Sequence, residues 1–446
     1  MDEYRLDAQM GTPSFGVPQI PAKPPFFACS AEKWALPVAW LLGWLYLKLI
    51  LIVESGEWYS GVYFTGHGGW TLNLAPMLFA LVFSGGILSL LAARRRVGGV
   101  NPFHAESLLW LGCLLVVAAA LTFGRCAVLG EGETTLLLHG YAVWWAVAAT
   151  GGLTDGKTGG FVPLDLVCGI GRAFSGLVYF PVGAWHLVFD REKKEKQKIT
   201  WITLLYLFLA LIALMLAATW LAGADAGFEN LLDRVLVFEN WELGENVFYL
   251  ILALPVGAFF YGLSVMKPNR KPSALRLANA GKLRQVPTGL ACGVLMAFFA
   301  LYLLFFGVQG EYLFGAFLGR LPEGFTVAEY ARQGFFQLCL VMLLNFALLA
   351  GSMSFAEKTV KEHKLLRVAS AALMGFSLLL WSTAAAKLGL YIVTFGFTPK
   401  RLLAAWALLV LLVAGIRAVV NLWKDCSVIR PAALVGGVSL ALLCLV

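Results

Sequence analysis

Charged residues are scarce in this sequence: they make up 13% of its 446 residues, whereas 60% of the residues are hydrophobic. Soluble domains contain about a quarter charged residues, so the composition excludes an ordinary soluble globular domain. The few charges are confined to short segments, and the stretches between them reach the roughly 20 apolar residues that cross a bilayer. The shortage of charge therefore predicts an all-α, polytopic transmembrane helical bundle.

Sequence motifs for metal binding and catalysis are lacking too. The five His residues show no H-x-x-H or H-E-x-x-H spacing, and the eight Cys residues form no C-x-x-C pair. The sequence contains no Walker A motif and no G-x-G-x-x-G that follows a strand, which argues against nucleotide hydrolysis. We therefore expect no catalytic residue, no metal and no cofactor, and we favour a protein that is not an enzyme.

The long apolar stretches number about eleven. Each is bounded by charged residues, Gly or Pro, which are typical ends of a membrane helix. The predicted spans are Trp34–Val53, Thr71–Ala93, Ala105–Gly124, Thr135–Leu153, Ile199–Ala222, Asn246–Met266, Thr288–Val308, Ala331–Gly351, Val368–Ile392, Leu402–Leu422 and Pro431–Val446.

The basic residues predict how these spans are oriented. The net charge of +8 does not indicate nucleic acid, because most of the 34 Lys and Arg residues fall in every second loop. Cytoplasmic loops are the ones enriched in Lys and Arg. The pattern predicts a multi-pass protein of a bacterial plasma membrane, with a cytoplasmic N-terminus, acidic loops outside and the lipid bilayer as its partner.

Four parts of the chain are predicted: a flexible cytoplasmic arm (1–33), a four-span N-terminal membrane part (34–153), a cytoplasmic interfacial segment with a basic linker (154–198), and a seven-span C-terminal membrane part (199–446). The third part contains the apolar stretch Phe161–Val188. A crossing there would invert half of the chain, and Asp165 and Arg172 share one helical face. We therefore expect an interfacial helix on the inner face, or a helical pair that lies in the inner leaflet.

Polar residues are concentrated between Tyr302 and Arg401, where the predicted topology places them at the outer interface. Basic side chains within a span are costly, so they usually form ion pairs or serve a pathway. Both interpretations stay open here, and the aromatic residues also fit an interfacial belt. The candidate binding residues are Lys48, Gln309, Glu311, Tyr312, Glu329, Tyr330, Arg332, Asn345, Lys387, Tyr391 and Arg401.

Three segments carry a family resemblance: Val308–Phe314, Ala328–Phe336, and Lys387–Tyr391 together with the following Gly396–Arg401. With these motifs the sequence resembles the bacterial domain-of-unknown-function 4173 family of polytopic membrane proteins, which is related to the 4153 family. The resemblance implies a membrane protein without an assigned activity. Where that family usually has Arg, this sequence has Lys387, which keeps the charge but loses the bidentate geometry of a guanidinium.

Three hypotheses for the function follow. The first is that the outer cluster binds a small anionic solute or a lipid headgroup, as part of a transporter or permease. The second is a non-catalytic scaffold or sensor that docks a membrane or cytoplasmic protein partner. The third is a membrane-embedded enzyme that acts on a lipid-linked substrate, with Glu329 or Glu311 as the base beside Arg332.

Overall fold

The computed structural model describes residues 30–54, 63–65, 71–95, 101–124, 129, 131–159, 162–189, 241–265, 283–314, 326–332 and 334–445. The predicted span Ile199–Ala222, the basic linker before it and most of the N-terminal arm lie outside these residues. The described chain is almost entirely helical, as predicted. A short antiparallel hairpin of β1 (Tyr63–Thr65) and β2 (Thr71–Asn73) is the exception, with Tyr63 opposite Asn73.

The helices are α1 (Ser30–Glu54), α2 (Ala75–Arg95), α3 (Ala105–Thr122), α4 (Glu131–Ala149), α5 (Val162–Phe189), α6 (Trp241–Ser264), α7 (Thr288–Phe314), α8 (Val327–Arg332), α9 (Phe335–Phe355), α10 (Lys364–Phe395), α11 (Pro399–Asn421) and α12 (Ile429–Leu443). Within the described residues, six helical segments are long and apolar enough to cross a membrane: Ala75–Ala92, Ala105–Thr122, Thr288–Val308, Val327–Phe355, Lys364–Phe395 and Pro399–Asn421. The architecture is that of a helical membrane protein.

Helices α1 to α6 form an N-terminal bundle in which α6 packs against both α1 and α5. Small residues permit this close packing, as is usual between membrane helices. A Cβ on Gly257 would lie 2.7 Å from the Ala39 carbonyl oxygen of α1, and one on Gly262 would lie 2.5 Å from the Arg172 carbonyl oxygen of α5. The two glycines therefore bring two backbones into contact with α6.

Helix α5 (Val162–Phe189) covers the segment that was predicted to be interfacial. It is a continuous helix of 28 residues, or about 42 Å at 1.5 Å per residue, and it packs lengthwise on α6. Its two polar residues are buried: Asp165 accepts hydrogen bonds from the amide and hydroxyl of Thr154, and Arg172 donates to the Thr150 hydroxyl. The loop before α5 thus compensates their burial.

Helices α7 to α11 form a C-terminal bundle around α10, which packs against α7, α8, α9 and α11. The start of α7 and the end of α9 meet through a bridge between Val286 and Ala356. Thr359 and Glu362 form a reciprocal pair of hydrogen bonds in the loop before α10. The Glu362 carboxylate accepts from the Thr359 amide, and the Thr359 hydroxyl accepts from the Glu362 amide.

Helix α12 joins the two bundles, since it packs against α11 on one side and α3 on the other. At its start, the Arg430 guanidinium lies 3.0 Å from the Glu106 carboxylate of α3. The amide of Thr158 donates to the same carboxylate, and Arg430 donates to the carbonyl of Thr158. We call these three residues the Glu106 clamp. The end of the molecule that contains them is called the Glu106 end.

We predict that Gly262→Val destabilises the protein by at least about 1–3 kcal/mol, because the added atoms would overlap the backbone of α5. The measurement is the thermal unfolding of the purified protein in detergent. Gly293→Val on α7 is the matched control, since a Cβ there meets nothing within 4 Å. Equal melting temperatures for the two variants would contradict the close α5–α6 contact.

We also predict that Glu106→Gln and Arg430→Met each lower the melting temperature. The double variant should be little worse than either single variant, with a coupling of about 0.5–3 kcal/mol. Lys361 pairs with Asp425, whose side chain is 98% exposed, so Lys361→Met should cost at most about 1 kcal/mol. Additive effects of the two clamp substitutions would show that the ion pair does not hold α12 on α3.

Candidate binding site

The Lys387 side chain is buried at 1% exposure inside the C-terminal bundle, beneath the short helix α8. Its ammonium nitrogen donates to the Tyr330 carbonyl at 3.3 Å and lies 4.4 Å from the centre of the Tyr330 ring. Tyr330 itself is fully buried. A hydrogen bond and a cation–π contact thus compensate the buried charge, and they fasten α8 to α10.

Glu329 acts as a helix cap. Its carboxylate accepts hydrogen bonds from the amide and the hydroxyl of Thr326, at 3.1 and 2.7 Å, and the Thr326 hydroxyl accepts from the Glu329 amide at 3.3 Å. This reciprocal pattern is a capping box. The Arg332 charge also acts on the Glu329 carboxylate, while the Arg332 Nε donates to the Ala328 carbonyl.

Gly334 breaks the helix between α8 and α9. Its φ of +79° is left-handed, which a residue with a side chain rarely adopts. The sequence predicted an unbroken span from Ala331 to Gly351, which includes Gly334. The break explains why α8 leaves the axis of α9 and covers Lys387 instead.

Arg401 and Tyr391 lie at the adjoining end of the bundle, where α10 ends and α11 begins. The Arg401 guanidinium lies 3.9 Å from the centre of the Tyr391 ring, and it donates to the carbonyls of Phe395 and Gly396. The Arg332 charge also acts on the Tyr391 hydroxyl. The exposed Lys400 follows Pro399 at the first turn of α11. We call this region the Lys400 end.

Asn345 lies elsewhere, midway along α9 and fully buried. Its side chain accepts a hydrogen bond from the Tyr302 hydroxyl at 2.6 Å and donates to the Ser377 hydroxyl at 2.9 Å. Ser377 lies ten residues before Lys387 on α10, or about 15 Å along the helix. Asn345 therefore joins α7, α9 and α10 and is not part of the Lys400 end.

Lys48 belongs to the other bundle. Its ammonium nitrogen on α1 lies 4.5 Å from the centre of the Tyr249 ring on α6. The structure does not describe the side chains of Gln309, Glu311 and Tyr312. Of the eight candidates whose side chains are described, six lie near another candidate. Lys387 contacts Tyr330, and Arg332 interacts with both Glu329 and Tyr391, which also contacts Arg401.

A groove of about 630 Å³ lies between the two bundles, and its wall is almost entirely apolar. Trp110 of α3, Tyr141 and Trp144 of α4, and Leu403 and Trp406 of α11 line it. Its floor is α12, where the Tyr141 hydroxyl donates to the Gly437 carbonyl and the Trp406 indole donates to the Gly436 carbonyl. Two neighbouring carbonyls of one helix thus hold both aromatic walls.

The groove extends along α4 from Glu133 to Trp144. Eleven residues of helix rise about 16 Å, which is close to half of a hydrocarbon core of about 30 Å. Leu403 places one end of the groove beside the first turn of α11, and Thr158 places the other beside the Glu106 clamp. Its length therefore matches one leaflet.

Sequence reasoning missed the groove, because its walls come from helices far apart in the chain. From the sequence alone, its Trp residues were not distinguishable from other Trp residues of membrane spans. Arg430 was counted simply as one of the basic residues in a cytoplasmic loop. Among the described residues, no group of three or more His, Cys, Asp or Glu side chains is placed to hold a metal ion.

We predict that Lys387→Met loosens α8, because the Tyr330 carbonyl loses its donor at a buried position. The expected cost is about 1–3 kcal/mol in thermal unfolding, together with faster protease cleavage near α8. Lys400→Met, which removes an exposed ammonium, is the control. If Lys387→Met melts and cleaves like Lys400→Met, the contact with Tyr330 does not anchor α8.

Comparison with known proteins gives one match. The chain is not significantly similar to any curated protein or to any solved structure. The expected membership of the 4173 family is not confirmed, but the expected relation to the 4153 family is. A family model described as "Domain of unknown function (DUF4153)" matches residues 77–446, well over half of the chain, and the protein therefore belongs to the DUF4153 family.

Proposed function

We propose that this protein binds an anionic lipid, with one acyl chain in the groove between the bundles and the headgroup at the Lys400 end. The observation that carries the proposal is the groove itself, which is almost entirely apolar and about one leaflet long. In a bilayer, an acyl chain is the molecule whose chemistry fits such a wall. This selects the lipid headgroup over the free solute among the ligands expected from the sequence.

The charge at the Lys400 end supports an anionic headgroup. Lys400 precedes Leu403, which lines the groove, by three residues on α11, so both lie on the same helical face. Arg401 and Arg332 add two cations nearby, while the Glu329 carboxylate is engaged in its helix cap. A lipid phosphate there gains attraction from each nearby cation.

The distribution of basic loops supports the orientation that we propose, with the Glu106 end in the cytoplasm of a bacterial cell. Lys361 pairs with Asp425 close to the Glu106 clamp, and Arg284 and Lys358 act electrostatically on Glu362. Lys and Arg concentrate in cytoplasmic loops. The Lys400 end then faces the outer leaflet, and the proposed ligand is an outer-leaflet lipid.

The test is quenching of Trp fluorescence by a phosphatidylglycerol that is brominated on its acyl chains, with phosphatidylcholine brominated in the same way as the matched lipid. Trp110, Trp144 and Trp406 line the groove, so bromine there quenches them. We expect the anionic lipid to quench at lower mole fraction. Trp406→Phe should reduce the quenchable part of the signal.

Lys400→Gln should weaken the preference for the anionic lipid by about fivefold, since one cation near a membrane surface contributes about 1 kcal/mol. Lys424→Gln, an exposed lysine beyond the other end of α11, is the control and should leave the preference intact. The proposal is wrong if both lipids quench alike in the unsubstituted protein. If Lys424→Gln removes the preference for the anionic lipid and Lys400→Gln retains it, the headgroup binds at the Glu106 end instead.

A further inference from the structure

A second cavity, separate from the groove, lies inside the N-terminal bundle among α1, α2, α4, α5 and α6. Its volume is about 350 Å³, which is within the range of sites for small molecules. Aromatic rings make up much of the wall: Tyr46, Phe79, Phe83, Phe259 and Phe260. The candidate residues taken from the sequence include none that line it.

His139 of α4 supplies an imidazole to this otherwise apolar wall. Its Nδ1 lies 2.7 Å from the carbonyl oxygen of Thr135, one helical turn earlier. A carbonyl can only accept, so Nδ1 carries the hydrogen and donates it. In the neutral imidazole the other nitrogen, Nε2, is then an acceptor.

Neighbouring rings hold the imidazole in place. The Phe79 ring centre lies 4.8 Å from that of His139, and the Tyr46 ring meets the imidazole edge-on at 5.9 Å. Because the Thr135 carbonyl takes the Nδ1 hydrogen, Nε2 is the ring nitrogen left to accept a hydrogen bond. The ring is thus oriented by contacts that leave its acceptor available.

The composition of the wall limits what can bind there. A buried water needs two to four polar partners, and this wall is almost wholly apolar, which disfavours an ordered water. An anion would be repelled by the lone pair of Nε2, and an unpaired ion of either sign pays a large desolvation cost in such surroundings. A neutral apolar molecule with one hydrogen-bond donor meets each of these constraints.

We infer that this cavity binds a neutral, lipid-soluble molecule with a hydroxyl group, which donates its hydrogen bond to Nε2 of His139. The apolar body of the ligand packs against Phe79, Phe83 and Phe260. This site is distinct from the proposed lipid groove, because helix α4 lines both but contributes different residues to each.

The experiment uses a long-chain primary alcohol that carries a diazirine, and its methyl ether as the matched probe without a donor. The full-length protein in nanodiscs is irradiated with each probe, and the labelled peptides are identified by mass spectrometry. We expect the alcohol to label the peptides of Tyr46 and Phe260 about fivefold more than the ether does, as one net hydrogen bond of about 1 kcal/mol requires. The peptide of Trp406 in α11 should show no such preference.

His139→Leu should bring the alcohol-to-ether ratio at the cavity to one, whereas His139→Gln, whose amide oxygen still accepts, should keep part of it. A purely structural role for His139 would not produce this rescue. Equal labelling by the two probes in the unsubstituted protein would overturn the inference, and so would a ratio that His139→Leu leaves unchanged.

Competition supplies a readout that needs no variant and so does not depend on the folding of His139→Leu. An excess of unlabelled long-chain alcohol should reduce labelling of the cavity peptides several-fold, and its methyl ether should not. Equal competition by the alcohol and the ether would also refute hydrogen bonding at Nε2.

Discussion

The ion pair between Glu106 and Arg430 is the contact on which the relation of the two bundles depends. It connects residues that are 324 positions apart, and Thr158 bonds both of its partners. In lipid, the hydrophobic effect does not drive helices together, so packing and polar contacts must do so. The clamp secures α12 to α3, and α12 in turn carries α11 and the rest of the C-terminal bundle.

The same constraint explains the other polar residues within the bundles. Lys387 donates to a carbonyl on α8, Asn345 bonds side chains on two neighbouring helices, and Asp165 accepts from Thr154. Each of these three side chains thus has a protein partner, as a low-dielectric environment demands. A buried charge in this protein is therefore evidence of helix docking, and the ligand is better sought where apolar surface and exposed cations adjoin.

The lengths of the apolar stretches alone predicted much of the fold from Thr71 onward, because a helix must be about 20 apolar residues long to cross the bilayer core. Charge patterns were less informative inside the bundles. The hydrogen bonds of Asp165 and Arg172 to Thr154 and Thr150 did not follow from the spacing of charges in the sequence. The same holds for the cap in which Thr326 binds the Glu329 carboxylate. Lys48 was placed with Lys387, but it lies against Tyr249 in the other bundle. Such partners are set by tertiary packing, which single-sequence spacing does not contain.

The groove follows from how α12 is held. Its start is secured at the Glu106 end by the clamp, and its middle accepts hydrogen bonds from Tyr141 on one wall and Trp406 on the other. Both walls are therefore fixed to one floor, and an acyl chain finds the groove formed before it arrives. A preformed site avoids the cost of ordering side chains on binding. The apolar groove and the basic first turn of α11 are thus parts of one arrangement, and losing the clamp would disturb both.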